Sequence, residues 1–392
     1  MKPLKWLYPG LKVKRWFLMF LGGVIIGSYG LLMLIPALVP LFSLGKGLGL
    51  IVLGCVVAVI GFRQFMHSLV SVFLPAEGDR LVDVVWRQRQ LGKGPKIVAI
   101  GGGTGLSVLL RGLKDYSSNI TAIVTVTDNG GSSGRLRQEL GILPPGDIRN
   151  CLVALADTEP LMEQLFQHRF HEGESLAGHN LGNLFLAGLT EILGDFAGAV
   201  RQASRVLAVR GQVLPSTLEN VTLQAELYNG EIVDGEINIG ASQGKSIKRL
   251  FVNPPDPKPL PEAIQALEEA DAIILGPGSL FTSILPNLLV KELVAAMGRS
   301  SGIRIYVCNV MTQPGETDGF TAADHLATIH KYIGPGLIDY IVVNTERVKK
   351  QLLQRYEEEG AFPVQVNKEQ LRKLGVKTIF AQLISPGECG AP

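Results

Sequence analysis

Charge is scarce at the start of this 392-residue chain: no charged residue lies between Arg15 and Lys46, and none between Lys46 and Arg63. Cysteine is scarce throughout. Cys55, Cys151, Cys308 and Cys389 are far apart with no CxxC pair, which argues against a zinc site or a disulfide scaffold and fits a reducing compartment. The net charge of +2 gives no electrostatic case for nucleic acid, so no nucleic-acid partner is expected. The glycine run near residue 103 lacks the GK[ST] of a Walker A loop, and no G-x-S-x-G elbow supports a triad hydrolase.

What is abundant is apolar sequence at the amino end. Hydrophobic residues make up 46% of the chain and its mean hydropathy is +0.26. The stretches 16–38 and 43–62 approach the roughly 20 apolar residues a membrane-crossing helix needs. A cleaved signal peptide would have a shorter apolar core and no second span. Lys2, Lys5, Lys12, Lys14 and Arg15 precede the pair, and Arg63 and His67 follow it, against Lys46 alone between. A hairpin over residues 1–70 with both ends cytoplasmic is therefore expected in the cell (inner) membrane.

Residues 71–95 read as a polar connector, closed by "RQRQLGKGPK". From 96 to about 385, short apolar runs ("KIVAI", "ITAIVTV", "AIIL", "RIYVCNV", "DYIVVN") alternate with helical patterns. This predicts an α/β domain, a doubly wound, Rossmann-like, mainly parallel sheet. Residues 151–210 carry helical spacing. "VTLQAELYNGEIVDGEINI" (221–239) alternates instead, with turn signals at Asn229-Gly230 and Asp234-Gly235, and predicts a small antiparallel insert over about 216–252.

In such a sheet the ligand lies at the carboxyl ends of the strands, so the loops there carry the candidates. Gly102, Gly103, Thr104 and Gly105 form a run that misses the dinucleotide fingerprint, whose last glycine would fall at Leu106. That leaves a NAD-dependent oxidoreductase little support. Such a run still admits a ligand to the backbone and to a helix N-terminus, although a tight ligand-free turn explains it too. "TDNGGSSGR" adds Asp128, Asn129, Gly130, Gly131, Ser132, Ser133, Gly134 and Arg135: amides, hydroxyls and a cation suited to a diphosphate or sugar. Asp128 suits a divalent metal or a ribose hydroxyl, or an Asx turn. "LPPGDIRNCL" offers Asp147, as ligand contact or helix cap, and Arg149 and Asn150. "GHNLGN" offers His179, Asn180 and Asn183, "GPGSLFTS" offers Gly276, Gly278, Ser279, Thr282 and Ser283, and "NVMTQPGETDGFTAADHL" (309–326) is a long polar loop after a strand. His168 and His171 on one helix face near His179 make a weak metal candidate, and no metal site is assigned.

"GGGTGLSVLLRGLK", "TDNGGSSGRLRQELGILPPGDIRNCLVAL", "GHNLGNLFLAGLTEI" and "GPGSLFTSILPNLLV", in this order, resemble the YvcK, or gluconeogenesis-factor, family of CofD-like proteins over roughly residues 96–384. The resemblance implies a Rossmann-like core binding a uridine diphosphate sugar, notably UDP-N-acetylglucosamine. It further implies a regulatory role in cell shape and wall-precursor supply under gluconeogenic growth, with wall-precursor enzymes as possible partners. No reaction is implied, and Tyr356 in "LLQRYEEEGAFPV" becomes a uracil contact. The alternative is a CofD-type transferase moving a phosphoryl-linked group from a nucleotide-activated donor, with Asp128 and Asp147 as metal or base and Mg as its ion. The apparent shortage of paired carboxylates counts against that alternative. Family members often carry a second aspartate where this chain has Asn129, and the basic tail segment of some relatives is not expected here. A homodimer is expected.

Overall fold

The computed structural model describes residues 13–34, 44–73, 89–157, 160–241 and 247–384. It divides into two units, 1–89 and 90–392. Residues 35–38 and 43 of the expected spans, 74–88 of the connector and residue 385 lie outside the described residues.

The first unit is a pair of helices, α1 (Val13–Leu32) and α2 (Leu44–Phe73). Both contain windows long and apolar enough to cross a membrane, Arg15–Leu32 and Gly45–Ser68, with mean hydropathy 1.5 and 2.1. α2 runs past its expected end at 62, because no proline or glycine follows Gly61 until Pro75 and a single Arg63 does not stop an α-helix. The helices approach through glycine. A Cβ on Gly23 would lie 2.3 Å from the Ala58 nitrogen, and one on Gly54 would lie 2.4 Å from the Gly27 nitrogen. Small residues of this kind let helix backbones touch where there is no water to drive association. Phe17 stacks against Phe65 and Phe20 against Phe62, at 5.6 and 5.7 Å between ring centres.

The second unit is built on seven parallel strands: β1 (Ile97–Gly101), β2 (Ile120–Val124), β3 (Gln212–Pro215), β7 (Ala272–Leu275), β8 (Ile303–Val307), β9 (Tyr340–Asn344) and β10 (Lys377–Ala381). Their order across the sheet is β10-β9-β8-β7-β1-β2-β3. β1 and β2 are buried along their whole length because helices cover both faces, which explains runs without polar alternation. The order reverses between β1 and β7. The chain leaves β1 toward β2 and β3, then returns to the other side of β1, so the loops after β1 and β7 diverge and leave a crevice.

The helical stretch between β2 and β3 becomes α4 (Gly131–Leu140), α5 (Gly146–Leu155), α6 (Pro160–Gln167), α7 (Leu181–Leu193) and α8 (Phe196–Val206), while α3 (Gly103–Leu113) joins β1 to β2. The insert is a second sheet of β4 (Thr222–Leu227), β5 (Ile232–Asp234) and β6 (Ile247–Asn253), antiparallel throughout. Its alternation ends earlier than the sequence pattern suggests. Gly235 turns at φ +81°, and "EINIG" coils into a short helix, α9 (Glu236–Gly240), instead of a strand.

Candidate nucleotide site at the sheet switch point

The first glycine run begins α3 without a side-chain cap. Its glycines are required by close approach. A Cβ on Gly105 would stand 2.6 Å from the Pro277 carbonyl oxygen, and one on Gly102 would stand 2.6 Å from the Asp147 carboxylate. Gly103 turns at φ +65°, and its N–H donates to Asp147. Part of this loop's amide array is thus already engaged.

Across the crevice, Gly276 turns at φ +72° after β7, and Gly278 donates its N–H to Asn309 Oδ1 at 3.2 Å. Ser279 opens a five-residue π-helical turn, Leu280–Ile284, and accepts from the Thr282 N–H at 3.1 Å. The Ser279 hydroxyl donates to Glu316 and receives the Thr282 hydroxyl at 2.7 Å. Ser283 is buried beside Gly103. A cleft of about 630 Å³ results. Gly102, Gly103, Thr104, Gly105, Gly278, Ser279 and Thr282 of the expected residues line it, and Glu236, Asn309, Gln313 and Glu316 join them. Such a volume suits one nucleotide-sized ligand.

Glu236 was invisible as a site residue in the sequence, and Glu316 lies in the polar loop 309–326 that the sequence offers without singling it out. They come from the insert and from the loop after β8, and meet the Thr282 hydroxyl from two directions. With Asp128 and Asp147 they make an acidic group. Burial, with Asp128 close by, pushes Asp147 up to about 7, although part of that residue reaches the surface. Burial and the same two aspartates push Glu236 up to about 8, and burial raises Glu316. The shortage of paired carboxylates read from the sequence is therefore corrected: the fold assembles them from segments spread between residues 128 and 316. Among the described residues no three His, Cys, Asp or Glu stand in metal-ligating geometry. This donor set still fits a magnesium ion, which characteristically uses one or two carboxylates and completes its shell with water and substrate phosphates.

The second glycine loop lies beyond β2. Asp128 closes it by accepting the Gly130 N–H at 2.7 Å, the Asx turn, with its carboxylate left beside Asp147. A Cβ on Gly134 would stand 2.1 Å from the Asn129 carbonyl oxygen. Asn129 accepts the Ile237 N–H of the insert at 3.2 Å. Gly131 turns at φ +45°. Ser132 meets His179 Nδ1 at 3.1 Å and accepts the Asn180 N–H, and Ser133 accepts the Gly146 N–H at 3.1 Å. Burial and the Arg135 guanidinium hold His179 below its ordinary pKa, which keeps the ring neutral.

Several expected roles change. Asn180 is the N-cap of α7: its Oδ1 accepts from the Gly182 and Asn183 amides and its Nδ2 donates to the Gln167 carbonyl, which commits its side chain to the fold. Asn183 is buried with its Oδ1 unpartnered. Asn150 accepts from Arg149 at 2.6 Å. α6 ends at Gln167, so His168 and His171 do not share a helix face but lie on a turn-back in which Phe170 and His179 pair backbones. Tyr356 is partly exposed on α14 (Lys350–Glu358; α10–α13 are the preceding helices Pro261–Glu268, Leu285–Leu288, Lys291–Arg299 and Ala322–Ile333) and does not line the cleft. A neighbouring hollow of about 470 Å³ shares Cys308, Asn309 and Val310 with the cleft and extends to Asn344–Val348.

A doubly wound parallel sheet with a glycine-walled, carboxylate-bearing crevice at its switch point defines a Rossmann-like α/β protein. Comparison narrows the class. The family described as 2-phospho-L-lactate transferase CofD matches residues 97–384. The gluconeogenesis factor of Bacillus subtilis (strain 168) is 54% identical over 295 residues, 75% of this chain and 93% of its own length. A relative in Nostoc sp. (strain PCC 7120) is 48% identical over 405 residues, 98% of this chain and 88% of its own. That alignment takes in the amino-terminal helices. The crystal structure of a UPF0052-family protein from Bacillus halodurans superposes with a TM-score of 0.73 at 53% identity, over 75% of this chain and 94% of that one. The chain belongs to the gluconeogenesis-factor group of the CofD-like family.

Proposed function

We propose that this chain is a nucleotide-sugar-responsive regulatory factor, held on the cytoplasmic face of the cell membrane by α1 and α2. The observation that carries the reading is the crevice between the loops after β1 and β7. Glycine lets two backbones close there, and the Thr104 and Ser279 hydroxyls and the Gly278–Asn309 pair supply polar contacts. The family resemblance supplies the uridine sugar, UDP-N-acetylglucosamine or a close relative. A diphosphate placed beside four carboxylates needs a counter-charge, so Asp128 and Asp147 would hold a magnesium ion that neutralises it. Role and place follow from the same reading: supply of wall precursors and cell shape during gluconeogenic growth, with the ligand sensed beside membrane-bound wall synthesis.

A second reading has its own support. The acidic group favours a transferase of CofD type, in which a bound cation stabilises charge as a phosphoryl-linked group moves. In that case Asp147, poised near neutral pH, would hold the proton to be exchanged.

Titration calorimetry of the detergent-solubilised chain separates the two. UDP-N-acetylglucosamine, UDP-glucose, GDP and NAD are each added with and without magnesium, and the ligands are then recovered. Tight binding of one uridine sugar, recovered intact, is the expected result. Preference for GDP, or a consumed ligand, replaces the regulator with the transferase. For the membrane, a carbonate-washed membrane fraction should retain the chain, and its appearance in the soluble fraction would sink the anchor.

A further inference from the structure

On the β2 side of the site Arg135, already a candidate cation for a diphosphate in the sequence, is joined by Arg149 and Arg169, and none of the three lines the cleft between β1 and β7. Arg149 is 9% exposed, on the first turn of α5. Its Nη2 donates to Asn150, its buried Nε has no partner, and it makes no ion pair among the described residues. The fold makes room for it: a Cβ on Gly182 would lie 2.8 Å from the Arg149 Cδ. Asp147 and Asp128 act on it at longer range, while Arg169 repels it.

Arg169 and Arg135 complete the group. Arg169 donates to the Gly178 carbonyl at 2.7 Å, and its Nη1 lies 3.9 Å from where a Gly131 Cβ would stand. Arg135 donates to the Ala177 carbonyl at 2.8 Å. Each guanidinium is thus anchored by one neutral carbonyl, leaving most of its donors open. α4 starts in their midst at Gly130 with no side-chain cap. A buried guanidinium without a paired carboxylate is costly, and the like charge of Arg169 raises the cost. A chain retains such an arrangement readily when an anion completes it, as uncapped helix amides and arginine forks commonly do for phosphate.

We propose that Arg149, Arg169 and Arg135, with the amino terminus of α4, form an anion subsite for a phosphoryl group, distinct from the crevice between β1 and β7. The subsite does not depend on the nucleotide-sugar reading. Its phosphoryl group comes either from the far end of a ligand seated in the crevice or from a separate phosphorylated molecule.

The test uses the full chain in detergent and inorganic phosphate as the probe, followed by thermal unfolding and calorimetry. Phosphate should raise the melting temperature of the unmodified protein. Arg169→Gln, at an exposed position that leaves folding intact, should weaken phosphate by roughly tenfold or more. Arg149→Met, checked for folding by circular dichroism, should abolish the phosphate response. Repeating the titration with saturating UDP-N-acetylglucosamine assigns the source: competition means the nucleotide ligand's own phosphate, and additive binding means a second ligand. No stabilisation by phosphate, or equal affinity in both variants and the parent, overturns the subsite. A lost nucleotide response with an intact phosphate response would fault the crevice reading alone.

Discussion

The loops after β1 and β2 leave adjacent parallel strands, each through glycines and into a helix that begins without a side-chain cap. Their surroundings have opposite charge. The β1 loop packs against Asp147 and faces Glu236 and Glu316 across the cleft, whereas the helix after the β2 loop carries Arg135 and starts beside Arg169, which in turn repels Arg149. A glycine-rich turn after a strand is therefore an invitation to a ligand, and the neighbours decide which sign of charge is invited. Asp128 stands at the junction, its Oδ1 closing the β2 loop and its charge felt by Asp147, Glu236 and Arg149.

The largest effect should come from breaking the backbone approach that each loop needs. Gly105→Val drives a side chain into the Pro277 carbonyl and Gly134→Ala drives a Cβ into the Asn129 carbonyl. Each should cost about 2–3 kcal/mol or more of stability in urea unfolding. Equal losses would mean both loops are pinned alike; a loss at Gly105 alone would leave the β2 loop adaptable. Next is the acidic end. Asp147→Asn should remove most of the magnesium dependence of nucleotide binding, by roughly tenfold or more, while inorganic phosphate binding at the arginine end changes little. Calorimetry with both ligands reads the contrast directly.

The pH response sharpens it further. Asp147 and Glu236 ordinarily titrate near 3.8 and 4.5, and the fold pushes them to about 7 and about 8. Across the interval from the ordinary to the raised values the folded chain binds more protons than the unfolded chain, so stability falls as pH rises through it. Without divalent cations the melting temperature should therefore drop by several degrees between pH 5 and pH 8. Magnesium should reverse the trend above pH 7, and Asp128→Asn should flatten it by removing one of the charges that raises the other two. Smallest is Asn180→Ala. Loss of the α7 cap should cost about 1 kcal/mol and leave ligand affinity nearly unchanged. A large affinity loss instead would return Asn180 to the binding surface.

Much of the scaffold was legible in one dimension. "KIVAI", "ITAIV" and "AIIL" read as parallel strands because burial on both faces leaves no room for polar alternation, whereas "DYIVVN" is apolar at its centre although its burial alternates along β9. The glycines at 102–105 and 130–134 stood out because only they permit such turns. The acidic group was legible only in part: Asp128 and Asp147 stood in their motifs, but Glu236 sat in a stretch patterned like a strand, and Glu316 in the polar loop 309–326 with no motif. Asn180 looked like a binding residue because asparagine serves equally as helix cap and as hydrogen-bonding ligand contact. The difference lies in where its oxygen points, which composition does not carry.

Sequence by itself determined the local features of this protein: two apolar helices at the amino end, the strand and helix periods, and the loops where backbone approach demands glycine. These depend on residues a few positions apart, within reach of a single turn or pleat. Tertiary structure decided which distant side chains share a space. It brought Glu236 and Glu316 to Thr282, set Arg149 beside Arg169, and sent Asn129 to the insert. Charge acts through space, so a carboxylate's affinity for a proton or a cation is fixed by neighbours the chain supplies only after it has folded.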